Sequence, residues 1–382
     1  MIIDSRLIDL TITLAIAFSL GLLFRKLTQP TITAYLITGI LASMYTFSSL
    51  NFKLINNGQA IAIAYTIASL FLFLCLGIKF PLARIWRYAN IVFVTTLIEV
   101  FFSVSAIYLV CLYLLGFSSI EAALMAASLV PCSISMTLRT IQEEKLSKQM
   151  FASIATGICL VENVMFAIVL SILGILISIH VDYISLSTQL SLVTLFTGLL
   201  LIGGSYAFPK IFEIIASVDE NLAMLLTIAL AFAIAYLGTY ILITPITAIL
   251  LMSVTLSTLK LREKLEENFK FLEEIVAGIF FLYAGFFMNI WNFSNFEPII
   301  LLYVILIVSK FLPAYTMLWL NGYGKEVASK VAISISVPGE ISFLIANFAV
   351  LSYGLNQNIL QYTLMLMLIN FIAYPQIIRR IK

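Results

Sequence analysis

Two hexapeptides decide the reading of this chain: Val130-Pro131-Cys132-Ser133-Ile134-Ser135 and Val337-Pro338-Gly339-Glu340-Ile341-Ser342, identical at four of six positions and 207 residues apart. Each lies near the centre of a long apolar run. Proline inside a helix removes a backbone donor and clashes with the preceding turn, so both helices are expected to break at mid-length. The same offset carries Asn163 onto Asn370, which extends the match beyond the two short segments and points to an internal repeat.

The surroundings of these runs set the solvent. The chain is 62% hydrophobic and 10% charged, whereas soluble domains carry about 25% charged residues. Apolar runs long enough to cross a bilayer recur from end to end with short polar breaks. Met1 to Asp9 has no basic n-region and no small-residue cleavage site, so the first run is read as a retained span. Cys75, Cys111, Cys132 and Cys159 lie in apolar runs without C-x-x-C spacing and read as reduced, packed thiols. The single histidine, His180, cannot build a metal cluster or a catalytic triad. No metal, cofactor or enzymatic activity is therefore expected, and a net charge of +2 gives no reason to expect a nucleic-acid partner.

Thirteen spans are predicted, at roughly 6–25, 31–48, 59–79, 90–115, 119–141, 149–179, 187–212, 221–238, 243–259, 271–291, 297–320, 327–352 and 358–378. Of the 21 basic residues, all but Arg6, Lys53 and Lys310 fall in loops after odd-numbered spans or in the tail. Basic residues mark the cytoplasmic side. The N-terminus is thus expected outside and the C-terminus in the cytoplasm, with the chain in the plasma membrane. The fifth and twelfth spans, separated by an odd number of crossings, run in opposite senses, which makes the repeat inverted. Irregular backbone at mid-membrane is tolerated only inside protein or beside a watery cavity, and the freed half-helix ends carry partial charges that hold ions. A plain structural kink is the alternative for either proline taken alone.

Charges inside the spans sharpen the site. Each costs roughly 2.5 to 3.5 kcal/mol at mid-helix on insertion scales, and four lie well inside: Glu99, Glu162, Lys310 and Glu340. Glu162 and Lys310 sit near the middle of the sixth and eleventh spans, so pairing is expected. A carboxylate and an amine in low dielectric titrate together, so a cation or proton reaching Glu162 releases Lys310; a fixed salt bridge that only ties helices together is the other reading. Glu340 follows the Pro338-Gly339 break and is expected to neutralise the positive end of its own half-helix. For Glu99 two readings stand side by side: it faces the same cavity, or it bonds to a neighbouring Ser or Thr. Arg139 is read as a snorkelling residue at the membrane edge, and Lys260 to Glu274 as a solvated, mixed-charge connection.

Several segments resemble the Kef-type and NapA-like cation:proton antiporters, members of the second monovalent cation:proton antiporter branch. Ser69 to Phe80, SLFLFLCLGIKF, resembles the family's "lFliGLel"; Thr33 to Leu41 is similar to "lGyLlaGil"; Leu265 to Ile290, ending FFLYAGFFMNI, is similar to "fFFv.vGm.id"; and Ser336 to Leu344, SVPGEISFL, resembles "sqgGEFaFv". Their order holds over nearly the whole chain. The resemblance implies an all-α polytopic NhaA/NapA-like fold with two inverted six-helix repeats and two broken crossing helices. It implies scaffold and dimerisation helices at 1–89 and 217–292, core helices at 90–182 and 293–382 with the breaks at Pro131 and Pro338, and a linker helix at 183–216. It also implies a homodimer. Lys310 matches the core lysine, Glu340 the acidic residue of the second broken helix, and Glu162-Asn163 the acidic pair of the sixth span. Where the family has Asn-Asp, Gln-Asp or Asp-Asp, with the second residue on the ion, this chain has Glu-Asn. Many Kef proteins carry an appended nucleotide-binding regulatory domain; the resemblance up to Lys382 includes none, so no such regulation is expected within this polypeptide.

The expected activity is exchange of Na⁺ or K⁺ for protons by alternating access, with Glu162, Asn163 and Lys310 as ion- and proton-binding residues. Pro131, Ser133, Pro338, Gly339 and Glu340 support the breaks, and Glu99 and Asn370 are further candidates. The alternative is a facilitator or symporter of a small organic or anionic solute on the same fold, using Asn163, Ser133 and the half-helix ends as neutral ligands.

Overall fold

The structure, a computed structural model, describes residues 2–43, 58–80, 85–178, 183–216, 218–241, 243–289 and 296–380. The far end of the second predicted span, together with Lys53, Arg84 and His180, lies outside the described residues. Every named element is a helix. In chain order these are α1 (Ile2–Lys26), α2 (Thr31–Ala42), α3 (Gly58–Ile78), α4 (Ala89–Tyr113), α5 (Ser119–Leu129), α6 (Ile134–Glu143), α7 (Met150–Ser178), α8 (Tyr183–Gly198), a π-helical turn (Leu199–Gly203), α9 (Gly204–Ala216), α10 (Glu220–Tyr240), α11 (Pro245–Leu256), α12 (Arg262–Phe286), α13 (Glu297–Leu320), α14 (Lys325–Ser334), α15 (Glu340–Tyr353) and α16 (Asn358–Arg380). Six helices among the described residues are long and apolar enough to cross a membrane.

Their polarity is turned inside out. Helix α4 exposes Phe93, Leu97, Phe101 and Phe102 while burying Thr95, Thr96, Glu99 and Ser103. Helix α13 exposes Ile300, Val304, Val308 and Leu312 and buries Ser309 and Lys310. In water such an arrangement would strand polar groups and wet large apolar ones; against lipid it is the favourable one.

The chain divides into two compact units. The first comprises Met1–Thr66, Tyr88–Glu162 and Ala277–Lys382. Within it α4 packs along α13, α5 packs on α15, and α16 touches α2, α5 and α14. Helices α2 and α12 come together at two glycines: a Cβ on Gly39 would overlap the Leu282 carbonyl, and one on Gly285 the Leu36 carbonyl. Only residues without side chains allow helix backbones so near. A ladder of rings, Tyr65 on Tyr283 (centroids 4.0 Å) and Phe343 edge-on to Phe280 (5.7 Å), fills the space beside α15.

The second unit comprises Ile67–Arg87 and Asn163–Val276. Here α10 packs on α11, Thr247 donates to the Ala167 carbonyl at 2.8 Å, and Gly77 gives way to Ser253. The segment from Lys260 to Glu274 is not a solvated connection, because α12 already begins at Arg262. Leu265 and Phe269 are buried there, and Arg262 donates to the Ile78 and Lys79 carbonyls at 3.0 and 2.7 Å. Lys79 pairs with Glu273 at 2.6 Å. The charges thus cap the end of α3, whose last carbonyls have no partners within their own helix.

Candidate ion-exchange site

The site lies in the first unit and starts from two interruptions. Helix α5 stops at Leu129 and α6 starts at Ile134; α14 stops at Ser334 and α15 starts at Glu340. The freed backbone groups satisfy one another. Ser133 N–H donates to the Val337 carbonyl at 2.6 Å and Gly339 N–H to the Pro131 carbonyl at 3.2 Å, an antiparallel bridge centred on Cys132 and Pro338. The Ser342 hydroxyl adds a bond to the Pro131 carbonyl at 2.8 Å. The two breaks are so close that a Cβ on Gly339 would overlap the Ser133 backbone, which is why glycine stands there.

Each new half-helix then exposes N–H groups that need acceptors. Ser133 caps α6 through its hydroxyl, which accepts from Met136 N–H at 3.2 Å. Glu340, fully buried, accepts from Ser135 N–H at 3.2 Å and from the Ser133 hydroxyl at 3.3 Å. Its carboxylate therefore serves the start of α6, the opposite broken helix, and not only the start of its own, as the sequence reading expected. The antiparallel bridge brings the two half-helix starts side by side, which makes this exchange geometrically natural.

Beside the breaks lies a cluster of charge. Lys310 Nζ, on α13, donates to the Val130 carbonyl at 2.6 Å and to Glu162 Oε2 at 2.9 Å. Glu99 Oε2, on α4, stands 3.6 Å from the same nitrogen. Glu162 Oε2 also accepts the Cys132 N–H at 3.0 Å, a donor free because the helix is interrupted. All three charged side chains are at most 1% exposed. Glu99 faces Lys310 and also accepts from the Ser103 hydroxyl at 3.5 Å. Two carboxylates share one ammonium, and Glu99 Oε1 and Glu162 Oε1 have no hydrogen-bond partner among the described residues.

The other expected residues have different surroundings. Asn163 follows Glu162 on α7 and is buried; it is turned about 100° further round the helix. Asn370 bonds within α16, to the Leu366 carbonyl at 2.9 Å, and is not among the groups that hold Lys310. Arg139 does not simply snorkel: its guanidinium donates to the Thr31 hydroxyl. Sequence reading missed the cysteines. Cys132 and Cys159 are not separate thiols but are paired as a disulfide, with Cα atoms 5.6 Å apart, while Cys75 and Cys111 are free. The two are separated by 27 residues, and only the placement of the break against α7 brings them together. The Val130 carbonyl and Cys132 N–H were equally invisible, being backbone groups released by the interruption.

Comparison with known proteins agrees with this architecture. The model of the sodium/hydrogen exchanger transmembrane family matches residues 13–379. The chain is 22% identical to an ammonium/H⁺ antiporter subunit, AmhT, of Alkalihalophilus pseudofirmus, with 88% of this chain and 84% of that protein covered. It is 21% identical to a putative K⁺ efflux antiporter, KefB, of Alkalimonas amylolytica and 23% identical to K⁺ efflux antiporter 6 of Arabidopsis thaliana, covering 91% and 97% of this chain. It spans only 52% and 62% of those two longer proteins. Among solved structures, the sodium proton antiporter MjNhaP1 of Methanocaldococcus jannaschii superposes with a TM-score of 0.63 at 13% identity, over 97% of this chain and 94% of that one, a likeness of fold. By the family match along almost its whole length, this chain belongs to the sodium/hydrogen exchanger transmembrane family, a family of multi-pass membrane antiporters.

Proposed function

We propose that the chain exchanges a monovalent cation, Na⁺ or K⁺, for protons across the plasma membrane, with the Glu162, Lys310 and Glu99 cluster as the exchange site. The observation that carries this reading is the crowding around Lys310: one ammonium with two buried carboxyl groups, Glu162 at 2.9 Å and Glu99 at 3.6 Å. With both carboxylates ionised the dry site carries one uncompensated negative charge, which is costly to bury. A proton or a desolvated cation removes that charge. Both together would leave the site with an excess positive charge, so occupancy alternates, and alternation is what antiport needs.

A cation arriving at the free oxygens of Glu162 and Glu99 competes with Lys310 for their charge. The lysine keeps the Val130 carbonyl as an anchor while its hold on Glu162 weakens. Because the breaks give the site both half-helix ends and a seam without continuous helix, movement of the core can expose it to either side in turn. In this reading thirteen spans form two inverted repeats, the core comprises 90–182 and 293–382, and the scaffold helices of 1–89 and 217–292 dimerise. The N-terminus is outside and the C-terminus cytoplasmic. The facilitator alternative is not favoured, since its relatives are named for exchange.

The test is cation-driven proton movement in proteoliposomes. The wild-type protein is expected to move protons when Na⁺ or K⁺ is added, and Glu162→Gln to abolish the signal while remaining folded. Full proton movement by Glu162→Gln would refute the assignment.

A further inference from the structure

The paired cysteines stand at the exchange carboxylate, where neither the fold nor the charge cluster requires sulfur. Cys159 lies one helical turn before Glu162 on α7, so their side chains share a face. Cys132 lies in the interruption between α5 and α6, and its N–H donates to Glu162 Oε2 at 3.0 Å. The pairing of Cys132 with Cys159, Cα atoms 5.6 Å apart, is within the span a disulfide requires. The result is a closed loop: backbone of Cys132, the sulfur link, one turn of α7, the Glu162 carboxylate, and the hydrogen bond back to Cys132.

We infer that Cys132 and Cys159 are positioning residues, a redox-sensitive brace that holds the Glu162 carboxylate against the broken helix and so sets the affinity of the exchange site. The inference rests on the reading of Glu162 as the exchange carboxylate. Joined, the sulfurs fix the distance from α7 to the Cys132 N–H, and Glu162 Oε2 is held between that donor and Lys310. Reduced, each sulfur carries its own hydrogen and the two must stand apart, which moves the interruption away from α7 and lengthens the bond to Glu162.

The chemistry is thiol–disulfide exchange with a small thiol or disulfide. One protein thiolate attacks the small disulfide and expels one small thiol; the second protein thiolate then attacks the mixed disulfide and expels the other. Two protein thiols and one small disulfide become one protein disulfide and two small thiols, and the reverse holds for a small dithiol. Both sulfurs are buried, at 0% and 1% exposure for the residues, so the reagent enters while the site is open to water on one face. Cys75 and Cys111, which are buried and free, provide internal controls.

The experiment compares the full chain in proteoliposomes after treatment with oxidised glutathione or with dithiothreitol, measuring KM for Na⁺ and K⁺ and Vmax separately. In parallel, mass spectrometry reads which cysteines are alkylated after denaturation. The oxidised protein is expected to leave Cys132 and Cys159 unalkylated, and reduction to raise the cation KM on the order of fivefold, the effect of one weakened hydrogen bond to a charged group, with Vmax nearly unchanged. Cys159→Ser and Cys159→Ala are expected to show the reduced-state KM under both treatments, and a Cys75→Ser, Cys111→Ser double variant to keep the full response. Alkylation of Cys132 and Cys159 in the oxidised protein, or a KM that ignores the state of the bond, would overturn the inference. Normal transport by Glu162→Gln would instead remove the reading beneath it, while the alkylation pattern would still report on the bond itself.

Discussion

Lys310 has two buried carboxyl groups beside it, Glu162 at 2.9 Å and Glu99 at 3.6 Å, and this crowding makes the site sensitive to single substitutions. Removing the amine leaves two carboxylates facing each other in a dry core, and breaking a buried pair in this way costs about 3 to 5 kcal/mol. Lys310→Met is therefore expected to lower the unfolding temperature markedly in detergent, and Glu162→Gln in the same chain to restore part of the loss. Equal losses in the single and double variants would show that the two side chains are not coupled. Glu99→Gln removes one of the two charges that attract the cation. At an effective dielectric near 20 that attraction is worth a few kcal/mol at contact, so cation affinity is expected to fall at least tenfold, measured as KM in proteoliposomes. Glu162, Lys310 and Glu99 were legible because each is a charge set in an apolar run. The orienting roles of Cys132 and Val130 were not, since both residues, although inside the matched hexapeptide, act through backbone groups freed by the break, which their side chains do not mark. The direction in which Glu340 is spent was also hidden, because it depends on which half-helix start lies opposite.

At the scale of elements, proline alone does not explain the interruptions. Pro209, Pro313 and Pro375 lie inside helices that continue through them, whereas the chain is interrupted at Pro131 and Pro338. The difference is where the freed groups go: at the two breaks they bond across to one another, to Ser342 and to Lys310. A matched pair of hexapeptides was a better guide than any single proline for this reason, since each break supplies partners for the other. The contact leaves no room at Gly339, so Gly339→Ala is expected to destabilise the fold by about 1 to 3 kcal/mol and to impair transport. Gly278 offers the contrast: a Cβ there would meet the Tyr35 ring at 3.5 Å, an ordinary contact. Gly278→Ala is expected to be neutral or slightly stabilising, as alanine is in a helix. Comparable thermal melts for the two variants would contradict the close crossing.

For the molecule as a whole, composition and the recurrence of apolar runs made the membrane class legible, and the ends of most helices fall within a few residues of the runs that predicted them. The start of α12 is the exception. Its first turns are rich in charge, yet Leu265 and Phe269 bury beneath that charge, a mixture that hydropathy alone reads as a loop. The charge pattern of the loops predicts termini on opposite faces. A membrane-impermeant label is expected to reach a tag at the N-terminus from outside and a tag at the C-terminus only after the membrane is opened; reaction of both from one side would contradict an odd number of spans. In the proposed exchange a cation and a proton compete for one two-carboxylate site. Adding Na⁺ or K⁺ to purified protein in weakly buffered detergent, with cation binding and proton release measured together, reads that competition. Binding is expected to release protons from the wild-type protein, with both signals absent in Glu162→Gln; cation binding without proton release would rule the competition out.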